Sequence, residues 1–364
     1  SPPAPRCAAA AMTAAGEGRS LRALPKAELH IHLEGAMRPE TLTELCAKHG
    51  VERPADTRGG RFPDFGPFAA CYMAVCECLR EEADLFRLVR EVAEDAAASG
   101  ATWIEPALSF GLYAERFGGL AETLKVLLRA AAAAEEATGV GLAYIVSAER
   151  SLPGLSVEEL VRDAEGLART VRGLVDSGAA IVRGHPGIVG FGLHGAEPGN
   201  PPEPFAEAFK IACADGALLA APHAGEIPPA PGGGPASVRF CVDGFGARRI
   251  AHGVLAVEDE ELVAHLAAKK VCLDVCPTSN FLLRVVEAVA EHPLPRLLRA
   301  GVRCSINSDD PLLFGRSLLE EYQCCRDQLE LSDEELATCA RNSFEHSCAP
   351  EDVKQRGLSG VEAW

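Results

Sequence analysis

Two hydrophobic rhythms alternate along this chain. Short apolar runs of strand character occupy residues 27–33, 102–108, 142–146 and 188–193, then 218–222, 249–251, 271–275 and 302–306. Between them lie longer segments with apolar residues three and four apart, for example 85–98, 120–137, 157–175, 204–213, 259–268 and 318–327. That spacing puts the apolar residues on one face of a helix. Eight strands alternating with helices require parallel pairing through right-handed crossovers. Closing eight such units gives an α/β fold, a (β/α)8 TIM barrel with extra helices; an open doubly wound sheet is the competing arrangement.

No GxxxxGK[ST] loop occurs. Gly190–Gly195 matches GxGxxG, but it overlaps the fourth strand and runs into a Pro-rich stretch instead of opening a helix, so it reads as a chance match. Residues 1–20 are rich in Ala, Pro and Gly without periodicity and are predicted to be a disordered tail or the remnant of a targeting peptide, leaving residues 21–364 as one domain. The Pro/Gly-rich residues 50–68 interrupt the first crossover and are expected to pass over one barrel end. There Phe62, Phe65 and Phe68 form either an apolar lid or simple packing.

Composition narrows the function. Apolar residues make up 48 % and charged ones 24 %, enough for an ordinary globular core. The net charge of −17 argues against nucleic acid or an anionic membrane surface as partner, and no long uncharged run offers a membrane span. The 14 cysteines include no CxxC arrangement, so a thiolate zinc site is unsupported. Free, mostly buried thiols in a reducing compartment are the expectation, cytoplasmic or, if the tail is a targeting remnant, organellar.

The polar residues then fall in a pattern. In a barrel of this kind the chemistry sits at the carboxyl ends of the strands. His30 and His32 end the first strand, two apart and therefore on one face. His194-Gly195 ends the fourth, His223-Ala224-Gly225-Glu226 the fifth, Ala251-His252-Gly253 the sixth, Cys276-Pro277-Thr278-Ser279-Asn280 the seventh and Asn307-Ser308-Asp309-Asp310-Pro311 the eighth. Five of the ten histidines lie at these ends, which scattered surface histidines would not do. Singly, each is better read as a hydrogen-bonded structural histidine, and Asp-Asp-Pro as a turn or helix cap. Together, two imidazoles from the first strand, a third from the fifth and a carboxylate from the eighth make a nitrogen-rich set suited to one Zn²⁺ with a position left for water.

The segment from Lys26 to Gly35 (KAELHIHLEG), with HAGE, AHG, CPTSN and NSDDP in that order, resembles the adenosine deaminase family of metal-dependent hydrolases from about Leu21 to about Arg341. The resemblance implies a barrel with one zinc per chain and hydrolytic removal of the 6-amino group of adenosine or a related purine. It makes His30, His32, His223 and Asp309 the metal ligands and Glu226 the proton donor to purine N1. His252 would orient and help deprotonate the attacking water, Asp310 would bond N7, and the Gly195 N–H would meet N3. Asp309 is thereby both ligand and catalytic residue.

The resemblance also leaves the substrate open. Typical adenosine deaminases carry, at the position of Glu34, an aspartate that bonds the ribose 5′-hydroxyl, and Gly192 and Ala196 replace two acidic residues common in the family. Relatives acting on adenine or aminodeoxyfutalosine share the Glu-Gly pairing. Glu34 is therefore a candidate substrate contact, re-aimed by its extra methylene. His194 either touches substrate or packs beside the strand, and CPTSN is expected to support the eighth strand. A cytidine-deaminase site is set aside for want of PCxxC, and a two-metal site for want of a lysine at residues 189–195. A catalytically silent nucleoside-binding barrel is the non-enzyme alternative; the sequence leaves oligomeric state open.

Overall fold

The computed structural model describes residues 18–227 and 233–364, so residues 1–17 of the expected tail lie outside the described residues. Eight parallel strands form the barrel. They are β1 (Lys26–Glu28), β2 (Ala101–Ile104, continued by Ala107–Leu108), β3 (Gly141–Leu142, continued by Tyr144–Glu149) and β4 (Ile188–His194). After them come β5 (Leu219–Ala220, continued by His223–Ala224), β6 (Arg249–His252), β7 (Cys272–Val275) and β8 (Arg303–Ile306). Each pairs in parallel with the next, and a parallel bridge between Ile31 and Asp309 closes β8 onto β1. This is the (β/α)8 barrel, not the open sheet.

Several strands are shorter or more broken than their apolar runs, for reasons visible in the residues. Pro106 and Pro222 lack the N–H a ladder needs and split β2 and β5. After Glu28, the side chain of Asn307 accepts from the N–H groups of Leu29 (2.8 Å) and His30 (3.1 Å), replacing ladder partners and bending β1 into the site. The segment 50–68 is an excursion as expected, but it leads into a helix the pattern hid, Phe65–Cys76. That helix is capped by Asp64, whose carboxylate accepts from the Gly66 N–H at 2.8 Å. Helices at Pro39–His49, Gly233–Gly244, Asp333–His346 and Glu351–Ala363 complete the extra ones. No described helix is long and apolar enough to cross a membrane.

The barrel interior is not wholly apolar. The buried Arg249 guanidinium donates to Asp274 (2.8 Å), to the carbonyl of Leu29 (2.7 Å) and to Glu105, which also accepts from the Trp103 indole at 2.9 Å. Ser305 completes Asp274 at 2.7 Å. One side chain of β6 thus ties β1, the end of β2 and β7 together beneath the carboxyl-terminal mouth. Every charge in the cluster is paired or hydrogen-bonded, which is the condition for burying it. The 13 described cysteines are unpaired thiols, ten of them buried.

Candidate active site

The strand ends converge. His30 Nε2 and His32 Nε2 lie 3.1 and 3.2 Å from His223 Nε2, and 3.3 and 3.2 Å from Asp309 Oδ1. Zinc–nitrogen bonds of about 2.0–2.1 Å correspond to donor–donor edges of roughly 3.3 Å in a tetrahedron, so these spacings fit such an ion. The chemistry of the donors fits as well. His30 gives its Nδ1 hydrogen to the carbonyl of Asp274 at 2.9 Å, leaving Nε2 as a free lone pair aimed at the cluster. All four residues are buried, and their ligand atoms lie within 4.8 Å of one another. Asp309 (φ 63°) and His252 (φ 61°) both sit in the left-handed region, strain of the kind that functional sites retain.

Around this cluster lies a cavity of about 410 Å³ lined by His32, His223, Glu226, His252, Asp309 and Asp310 among others. Glu226 is buried, and burial, then the neighbouring carboxylates Asp309 and Glu197, push its carboxyl well above the usual range. Both favour its neutral, protonated form. Its backbone is held from β4: the Glu197 carboxylate accepts the N–H groups of Gly225 (2.9 Å), Glu226 (2.8 Å) and Ile227 (2.9 Å) and the Ser237 hydroxyl (3.0 Å). Asp310 has both oxygens buried without a partner, and burial with Asp309 alongside raises its carboxyl too. Gly35 makes room for it, since a Cβ there would run into the Asp310 carboxylate.

The proton on His252 can be assigned by following hydrogen bonds inward from the backbone. The Leu294 N–H donates to His292 Nδ1 at 3.1 Å, so the His292 hydrogen is on Nε2, facing Asn280 Oδ1 at 3.0 Å. The Asn280 amide nitrogen is then left to donate to His252 Nδ1 at 3.3 Å. Burial lowers the basicity of both imidazoles, His292 to about 3, so each is neutral. His252 therefore carries its hydrogen on Nε2, 3.4 Å from Glu226 Oε1 and 3.7 Å from Asp309 Oδ2. CPTSN is thus not a simple prop for β8: it starts a short helix, Pro277–Leu282, that brings Asn280 to His252.

Two other expectations change. Glu34 is fully buried, and its two oxygens accept from Tyr72 Oη (2.7 Å) and Tyr113 Oη (2.6 Å). It lies behind the wall and does not line the cavity, so it is not a direct substrate contact. The extra methylene carries the carboxylate to the two phenols. His194 does line the cavity, packed against His32 and His223 with ring centroids at 4.6 and 4.7 Å, and its Nδ1 pairs with the Ser109 hydroxyl at 2.9 Å. Phe65 and Phe68 line the cavity, whereas Phe62 packs behind Phe68. Gly195 reaches the cavity wall with φ 97°, a conformation that glycine adopts without strain. The sequence did not single out Glu197 or His292, and it offered Asn280 only as the end of CPTSN; their contacts run across loops whose proximity only folding creates.

A parallel eightfold barrel with a buried three-histidine, one-aspartate cluster at its carboxyl-terminal mouth belongs with the barrel amidohydrolases and deaminases. The adenosine deaminase family profile matches residues 25–364, and the chain belongs to that family. It is 41 % identical to a Streptomyces coelicolor protein provisionally named adenosine/adenine deaminase, over 95 % of this chain and 98 % of that one. Among solved structures it resembles the adenine deaminase of Arthrobacter aurescens (TM-score 0.80, 32 % identity, 93 % of this chain and 98 % of that one). The same fold recurs in a Burkholderia ambifaria amidohydrolase solved with bound zinc (TM-score 0.80, 24 % identity, 97 % and 95 % covered).

Proposed function

We propose that the protein hydrolyses the 6-amino group of a purine, releasing ammonia, with one zinc held by His30, His32, His223 and Asp309. The observation that carries this reading is the cluster of four ligand atoms sharing one cavity with a buried carboxyl whose surroundings favour its neutral form. A zinc ion there would hold and acidify the attacking water, whose pKa such ions lower from about 15.7 to ~7.

The remaining steps belong to the chain. Neutral Glu226 gives its proton to ring N1, which draws electron density from C6 and makes it electrophilic. Water oxygen bonds to C6 and gives up both hydrogens, one restoring the proton on Glu226 and the other going to the departing amine. The C6–N bond then breaks with loss of ammonia, and the product keeps C6=O and the hydrogen on N1. The Nε2 hydrogen of His252 orients the attacking oxygen and offsets the charge it develops. With Nδ1 engaged by Asn280, donation rather than proton capture is the role its tautomer favours. Asp310, whose burial beside Asp309 favours the neutral form, donates to N7, and the Gly195 N–H meets N3, so the ring is held in line for attack.

Adenosine is the substrate the family resemblance first suggests; the sequestered Glu34 and the adenine deaminase relative favour the free base adenine as the second reading. Ammonia release from both, by zinc-loaded protein and by Glu226→Gln, tests the proposal. The variant is expected to keep its metal while turnover falls about 10²–10⁴-fold. No ammonia from either purine, or loss of metal in the variant, would count against it.

A further inference from the structure

The cavity is larger than its reacting end needs, and its two halves differ in character. Beyond the metal cluster and the ring-binding groups, the wall is mostly apolar, with Phe65, Phe68, Met73, Leu112, Leu152 and Leu155 beside the small polar groups of Ser109, Ser151 and Asn200. At the mouth, Leu155 is 41 % and Val157 37 % exposed; they are two of only three large hydrophobic side chains exposed among the described residues. Such a concentration of wet apolar surface at a cavity mouth marks a place where something apolar is received. No lysine or arginine is among the described lining residues, so nothing there would offset a phosphate.

One polar group stands apart in this wall. Glu149 ends β3, paired in register with His194 of β4, directly before Gly195. Its Oε1 is buried without a hydrogen-bond partner, 3.9 Å from His194 Nδ1. The mechanism above does not use it. With Glu226, Asp310 and Gly195 at N1, N7 and N3, the ring nitrogen left facing outward is N9. Because N3 and N9 share C4, a group beside the N3 contact lies on the N9 side.

We propose that the site takes a 6-aminopurine whose N9 substituent is uncharged and apolar at its far end, and that Glu149 is the specificity-determining residue that accepts a hydroxyl on the near part of that substituent. The inference rests on the deaminase reading for the orientation of the ring. A bare purine would leave Glu149 unpartnered and the outer wall wet. Adenosine itself would bring its 5′-hydroxyl toward a wall made mostly of Phe and Leu side chains, with Glu34 held behind it by Tyr72 and Tyr113. An unpaired buried hydroxyl is costly, whereas an apolar 5′ end gains the wall.

Calorimetric titration of zinc-loaded protein with the deaminated products hypoxanthine, inosine, 5′-deoxy-5′-methylthioinosine and inosine monophosphate reads this without requiring turnover. The methylthio compound should bind at least tenfold more tightly than inosine, and the monophosphate should not bind. Glu149→Leu should weaken both nucleosides at least tenfold but hypoxanthine less than threefold, and Glu149→Gln, which keeps an acceptor oxygen, should restore part of the loss. Leu155→Asp should remove the preference for the methylthio compound. Hypoxanthine or the monophosphate binding best, or Glu149→Leu weakening all ligands equally, would overturn the proposal. Ammonia release from the matching amines separates the two readings. Release from adenine alone sinks this inference and leaves the deaminase intact. The expected binding order without release from any amine sinks the deaminase and leaves the binding preference.

Discussion

Asn280→Asp changes one atom's hydrogen-bonding sense and leaves the shape of the side chain alone. In the native site the amide nitrogen donates to His252 Nδ1 at 3.3 Å, while its oxygen accepts from His292 Nε2 at 3.0 Å. A carboxylate can only accept. His292, whose Nδ1 is fixed by the Leu294 N–H, still satisfies one oxygen; the other now attracts a hydrogen onto His252 Nδ1. The hydrogen on Nε2 is lost, or the ring becomes cationic. In the first case a lone pair faces the attacking oxygen in place of a donor. Loss of one hydrogen-bond donor aimed at developing negative charge typically lowers kcat about 10²–10³-fold. That is roughly 2.7–4 kcal/mol in the barrier. Ammonia release gives kcat, elemental analysis gives zinc content, and ¹⁵N spectra of histidine-labelled protein, assigned with His252→Ala, report which ring nitrogen is protonated. The expected result is a large fall in kcat, unchanged zinc and a shifted His252 signature. A variant with full zinc and kcat within threefold of the parent would refute the tautomer argument.

Other outcomes follow from the same geometry. Gly35→Ala drives a methyl into the Asp310 carboxylate; overpacking of this kind costs about 1–3 kcal/mol of folding stability, so the thermal midpoint should fall. With it kcat/KM should fall because Asp310 is displaced, the fold staying intact by circular dichroism. His223→Ala removes the donor shared by His30 and His32; zinc content should fall well below one per chain, and a chelator should lower the thermal midpoint of the parent but not of this variant. Buried His292 has its pKa depressed from 6.5 to about 3, so between those values the unfolded chain binds the extra proton and folding stability falls as pH drops. The contribution declines by about 1.4 kcal/mol for each pH unit below 6.5. The stability gap between the parent and His292→Gln, measured by urea denaturation from pH 7 to 5, should narrow accordingly; a constant gap would contradict the assignment.

The barrel and the metal cluster were legible because they rest on periodicity and on residues at strand ends. His30 and His32 share a face by strand geometry alone, and HAGE and NSDDP mark ends whatever the loops do. The interruptions were harder to read. The helix Phe65–Cys76 begins inside a Gly/Pro-rich stretch that reads as loop, yet Asp64 caps it. Glu34 was placed against substrate because the family resemblance puts a ribose-binding aspartate at its position; the two tyrosines that capture it come from distant segments. Asn280 and His292 are 12 residues apart, and their link to His252 crosses three elements. Hydrogen-bond direction of that sort has no signature in a linear pattern.

The guanidinium of Arg249 bears on how such a barrel could be assembled or divided. A cut after β4 would leave Arg249 paired with Asp274 in one fragment and strand Glu105 in the other without its counter-charge. The two halves are therefore unequal: the amino-terminal one carries a buried carboxylate that only the other half can neutralise. Split-protein complementation would restore that pairing.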